Sequence, residues 1–104
     1  MHINAAENKS ASGVEICIPE FSAQNNLKNK TIGASMLSRF DQNKIDERGI
    51  KTADFYVQKN VQCLEILVEL GFMSNSRELE NLQSVECRSS LCSALVNGIE
   101  LYVQ

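Results

Sequence analysis

The stretch ILVELGFMSN, residues 66–75, decides the fold class. Its run Ile66-Leu67-Val68-Glu69-Leu70 is almost unbroken in apolar character, as expected of a strand buried on both faces. Gly71 follows, and its freedom at positive φ suits a sharp turn after the strand. Strands buried on both faces belong to α/β sheets covered by helices. Glu69 is the anomaly in this run. A carboxylate here is either a paired or edge group, or a group placed for chemistry at the carboxyl end of a sheet strand, where α/β folds bind their ligands. Loss of water around a carboxylate disfavours its charged form, and such a group suits proton transfer.

Moving toward the C-terminus, Ser76-Arg77-Glu78-Leu79-Glu80 predicts a helix start without a full capping box. A better-marked helix is expected over residues 88–102, where Leu91, Leu95, Gly98, Ile99 and Tyr102 repeat at helical spacing. Moving toward the N-terminus, residues 58–60 (QKN) read as a turn and residues 54–57 (DFYV) as a short strand with two aromatics. QNKIDERGIK, residues 42–51, leads out of a preceding helix through Gly49. That helix carries Ile32, Met36, Leu37 and Phe40 on one face, after a polar stretch at 22–30 that reads as a loop or a frayed helix start. VEICI, residues 14–18, is a strand ended by Pro19. Residues 5–12, followed by Gly13, read as a surface loop. Three strands and three helices in mixed order predict an α/β fold, a mixed sheet with flanking helices.

The chain has 104 residues, enough for one small domain. Its net charge is -3 and it has no basic tract to follow a phosphate backbone, so the expectation is no nucleic acid. No apolar run reaches the length of a membrane span, and no apolar leader follows Met1, so neither a span nor a signal peptide is expected. Cys17, Cys63, Cys87 and Cys92 form no CxxC. Cys17 and Cys63 fall in apolar stretches that bury thiols readily, and Cys87 and Cys92 are placed on different faces of one helix. The single histidine, His2, reads by itself as a terminal residue without a role; one histidine argues against a self-contained zinc-finger site but permits part of a larger one.

Four segments together resemble one enzyme family. His2-Ile3-Asn4-Ala5-Ala6, then Gly13-Val14-Glu15, is similar to the S-(I/L)-H-x-N-A…G-x-E segment of the zinc-dependent N-acetylmuramoyl-L-alanine amidases of bacterial cell walls. Arg48-Gly49-Ile50-Lys51, with Phe55-Tyr56-Val57 behind it, resembles the family's RGVK…FYVL. Val68-Glu69-Leu70-Gly71-Phe72-Met73-Ser74-Asn75 resembles its VELGFLSN, and Ala94, Asn97-Gly98-Ile99 and Tyr102 fit its closing helix. Order and approximate spacing are kept across nearly the whole chain. The departures are small. The proline that commonly precedes the catalytic strand is absent, Gln58-Lys59 stands for L-R, and Ser76 replaces the proline of SNP.

The resemblance implies that residues 1–104 are the C-terminal portion of such a catalytic domain, a truncated piece of a phosphorylase/hydrolase-like fold. It implies zinc as cofactor, His2 as a metal ligand and Glu69 as the catalytic proton shuttle. Two histidines and a glutamate hold zinc in this family, and the upstream GHGG-like segment and the zinc glutamate are missing from this chain. The implied substrate is peptidoglycan or a muropeptide, cut at the amide between N-acetylmuramic acid and L-alanine. The implied location is the periplasm or the extracellular cell wall. Phe72 is expected to pack, and Asn4 and Asn75 to tie down loop backbone. The isolated chain is expected to be inactive, and the alternative is a non-catalytic remnant or a structural wall-associated module.

Overall fold

Val14, Ile16 and Ile18 alternate with Glu15 and Cys17, so one strand sends aliphatic side chains to one side and a carboxylate and a thiol to the other. This strand organises the sheet. The computed structural model describes residues 1–19, 26–53 and 64–104. Its elements are β1 (His2–Asn4), β2 (Val14–Pro19), α1 (Asn26–Gln42), β3 (Glu47–Ala53), β4 (Leu67–Phe72), α2 (Ser76–Leu82) and α3 (Val85–Val103). The strands form one mixed sheet in the order β1-β4-β2-β3. β1 runs parallel to β4 and β2 parallel to β3, while β2 and β4 are antiparallel. The expected α/β fold with flanking helices is present.

Helices α1 and α3 share one face of the sheet. Met36 and Phe40 from α1 and Leu91, Ala94 and Leu95 from α3 meet Val14, Ile16, Ile18 and Val68 in a single buried cluster. Helix α1 lies against β2 and β3 and packs on α3. The long helices matter here because a sheet of such short strands has no independent stability without a covered face.

Several boundaries differ from the sequence reading. The central strand spans Leu67–Phe72, so Glu69 lies within it and Gly71 is a strand residue. The chain leaves the strand at Met73–Asn75 instead, because Asn75 caps α2, its side chain accepting from the Arg77 and Glu78 backbone N–H groups. Gly71 holds φ 145° inside the strand. Helix α3 starts earlier than expected, since Ser84 accepts from the Cys87 N–H and caps it. Strand β3 was not expected at all. ERGIKTA has only Ile50 as a large apolar residue, and among the described residues β3 is an edge strand, where charged side chains are tolerated. The strand expected at 54–57, the turn at 58–60, and Cys63 lie outside the described residues.

Candidate active site

β1 and β4 are in register with His2 opposite Glu69. The same Glu69 stands opposite Glu15 on its other neighbour, β2. One row across the sheet, on the face away from α1 and α3, therefore carries His2, Glu69 and Glu15 in turn. The Nδ1 of His2 lies 3.9 Å from Oε1 of Glu69, close enough for electrostatic contact and too long for a hydrogen bond. The histidine side chain is 62% exposed and the glutamate side chain 10%. Glu69 Oε2 is buried, and no hydrogen-bond partner among the described residues reaches it. Buried polar atoms without partners are uncommon because each forfeits its hydration.

Glu15 is arranged differently. Its Oε2 accepts from Lys51 Nζ at 2.7 Å and from Arg48 Nε at 3.2 Å. Burial pushes the Glu15 carboxyl up, but the Lys51 and Arg48 cations outweigh it and hold the group below its ordinary value. The two carboxylates face each other across an antiparallel pair, where Cβ atoms stand roughly 5 Å apart. The cations satisfy Glu15 from the β3 side and so remove much of the repulsion it would exert on Glu69. Cys17 lies on the same face. Burial, then the charges of Glu15 and Glu69, raise its thiol to about 11, so it stays neutral at physiological pH.

The sequence reading missed the Glu15–Arg48–Lys51 cluster. Residues three apart in a regular strand point to opposite faces, so Arg48 and Lys51 gave no sign of acting together. The register explains how they do. Val14 pairs with Glu47 and Ile16 with Ile50, which places one extra residue in β3. Gly49 absorbs it at φ 89°, and both cations reach one carboxylate. The available signal was the glycine between two cations, a bulge signature.

The loops around the row are tied together. The Met73 N–H donates to the Asn4 carbonyl at 2.8 Å, and the Ala6 N–H donates to Ser74 Oγ at 3.0 Å. Asn4 Oδ1 accepts from the Ala5 N–H, and Asn75 Nδ2 donates to the Ala11 carbonyl at 3.4 Å. Glu78 accepts from the Gly13 N–H, joining α2 to the start of β2. Asn4 and Asn75 thus hold loop backbone, as expected. Phe72 is 4% exposed, and the Arg48 guanidinium stands 5.0 Å from its ring centroid, which makes it a packing residue under a cation.

Among the described residues, no three His, Cys, Asp or Glu side chains come together in a group able to hold a metal ion. His2 alone does not fit a resident zinc, which takes three protein ligands in catalytic sites. Among the described residues no helix is long and apolar enough to cross a membrane.

Comparison with known proteins agrees with the fold. An uncharacterised Bacillus subtilis protein, YqiI, is 34% identical over 103 residues, covering 98% of this chain and 48% of that protein. The amidase AmiC2 of Nostoc punctiforme superimposes with a TM-score of 0.78 at 26% identity, over 98% of this chain and 54% of that one. The CwlD amidase of Clostridioides difficile, solved in complex with the GerS lipoprotein, gives a TM-score of 0.85 at 23% identity, over 97% of this chain and 51% of that one. The chain thus spans about half the length of the relatives it matches. A family model described as N-acetylmuramoyl-L-alanine amidase matches residues 1–101, and the chain belongs to that family.

Proposed function

We propose that residues 1–104 supply the C-terminal portion of a peptidoglycan amidase catalytic domain and that the chain by itself is not catalytic. The observation behind this reading is the His2–Glu69 pair, one histidine and one carboxylate in register on adjacent strands, with too few donors around them among the described residues for a metal. Family membership supports amide hydrolysis at the bond between N-acetylmuramic acid and L-alanine as the activity of the complete domain, in the periplasm or the extracellular cell wall. The shortage of donors among the described residues supports a non-catalytic or structural role for this chain alone.

Within that division of labour, Glu69 is the proton-transfer residue. Its free Oε2 has an unused lone pair in a water-poor position, and a carboxylate so placed accepts a proton from an attacking water and returns it to the departing amine. His2 offers a ring nitrogen as one zinc ligand of a site whose other donors come from elsewhere. No reaction step is derived through zinc, because the donors described here do not make its site. The deciding assay is release of stem peptides from purified peptidoglycan by the 104-residue chain in buffer with zinc. No release above the protein-free control is expected. Steady release abolished by a chelator would overturn the non-catalytic reading.

A further inference from the structure

The bulge in β3 brings two cations to the face that carries Glu69. Lys51 pairs with Cys17, which alternates with Ile16 and so shares a face with Glu15. Arg48 reaches the same carboxylate because Gly49 absorbs the extra residue. Bulges re-aim side chains and are common beside active sites. The row across the sheet therefore continues past Glu15: His2, Glu69, Glu15, then the pair Arg48 and Lys51.

Glu15 does not use up these cations. One carboxylate meets two positive groups, so the cluster keeps one positive charge in excess. Lys51 gives Glu15 a single N–H, and Arg48 gives it Nε while Nη1 donates to the Ser12 carbonyl at 3.3 Å. Among the described residues Arg48 Nη2 and the remaining Lys51 N–H groups have no acceptor. The Lys51 side chain is 47% exposed and that of Arg48 36%, so these donors are open to a ligand. The guanidinium is also steadied by the Phe72 ring beneath it. Adjacent strands stand about 4.8 Å apart, which puts β3 roughly 10 Å from β4. An extended peptide covers about 3.4 Å per residue, so three residues span from an amide at Glu69 to the two cations.

We propose that Arg48 and Lys51 bind a free carboxylate of the stem peptide, within its first three residues from the scissile amide, and so select acidic stems over amidated ones. The inference rests on the proposed function and deepens it, by naming the substrate group read beside Glu69. A guanidinium and an ammonium side by side give a carboxylate charge-assisted hydrogen bonds. A carboxamide offers them one neutral oxygen and turns N–H donors toward the cations. Glu15 competes for the same donors, so its charge weakens the contact that it helps to position.

The probe is an N-acetylated tripeptide that begins with L-alanine and carries free carboxylates on its second and third residues. It is titrated into the 104-residue chain to about 10 mM, the range of a weak contact, and followed by amide chemical shifts. Shifts centred on Glu15 and β3 are expected, with affinity roughly threefold or more above that of the same peptide amidated at both carboxylates. Lys51→Gln, at an exposed position, should keep the circular dichroism of the chain and remove that preference, and Lys51→Arg should retain it. Glu15→Gln should bind the acidic peptide about threefold more tightly while melting lower, a pair of opposed effects that a merely structural cluster does not produce. Equal binding of the two peptides, shifts absent from β3, or a Glu15→Gln chain that binds no better would overturn the proposal. Succinate matching the acidic peptide would also overturn it, by showing an adventitious anion contact only. The amidase reading is decided separately by stem-peptide release, so either can fail without the other.

Discussion

Glu15 and Glu69 are neighbouring carboxylates on one face of the sheet, and their surroundings give them opposite roles. Glu15 accepts from two cations, and its lowered folded value stabilises the fold. The sign is that of a depressed acid: the contribution is fully present above the ordinary value of 4.5 and is lost as pH falls through the lower folded value. Glu15→Gln should cost about 1 kcal/mol at pH 7, kept small because Arg48 and Lys51 are more than a third exposed. The variant should also lose part of the wild-type decline in stability on acidification below that value. Among the described residues Glu69 accepts from no Lys or Arg, and only His2 stands near it, at 3.9 Å. Glu69→Gln should leave the melting temperature level or raise it, since an amide is cheaper to bury than an ionised carboxylate. Thermal melts from pH 3 to 7 check both; a Glu69→Gln chain that melts well below wild type would make Glu69 a structural residue. In a complete, hydrolysing domain the same change should slow turnover roughly 10²–10⁴-fold, the worth of general-base catalysis.

At the level of elements, α1 and α3 approach each other closely at Gly98. A Cβ on Gly98 would stand 2.7 Å from the Met36 Cα, a backbone atom that cannot step aside without moving its helix. Gly98→Ala would ordinarily gain helix propensity, but here it should cost about 1–3 kcal/mol through overpacking. For a domain of this size that is a fall of roughly 4–8 °C or more in melting temperature. A melt unchanged by Gly98→Ala would mean that the helices separate freely. The same element was legible in the sequence, since Leu91, Leu95, Gly98 and Tyr102 repeat at helical spacing. β3 was not legible, because its pairing depends on β2 and on a bulge at Gly49, both non-local. The end of β4 was misplaced for a related reason. Gly71 suggested a turn, but pairing with β1 and the Asn75 cap carry the strand on to Phe72.

For the whole molecule, the family was legible because four motifs kept their order along the chain. The row His2–Glu69–Glu15 was only partly so. His2 and Glu69 came from resemblance, and their register could not be read from residues 67 positions apart, while the cations on Glu15 were hidden with β3. Central to the proposal is that this chain brings one zinc ligand, His2, and a proton-transfer carboxylate, Glu69, without, among the described residues, the donors that would close the site. Calorimetric titration of the 104-residue chain with zinc tests this most directly. Binding weaker than about 10 µM is predicted, with water filling most of the coordination sphere around any ion at His2. One zinc per monomeric chain at submicromolar affinity, lost on His2→Ala, would show a complete site and contradict the account.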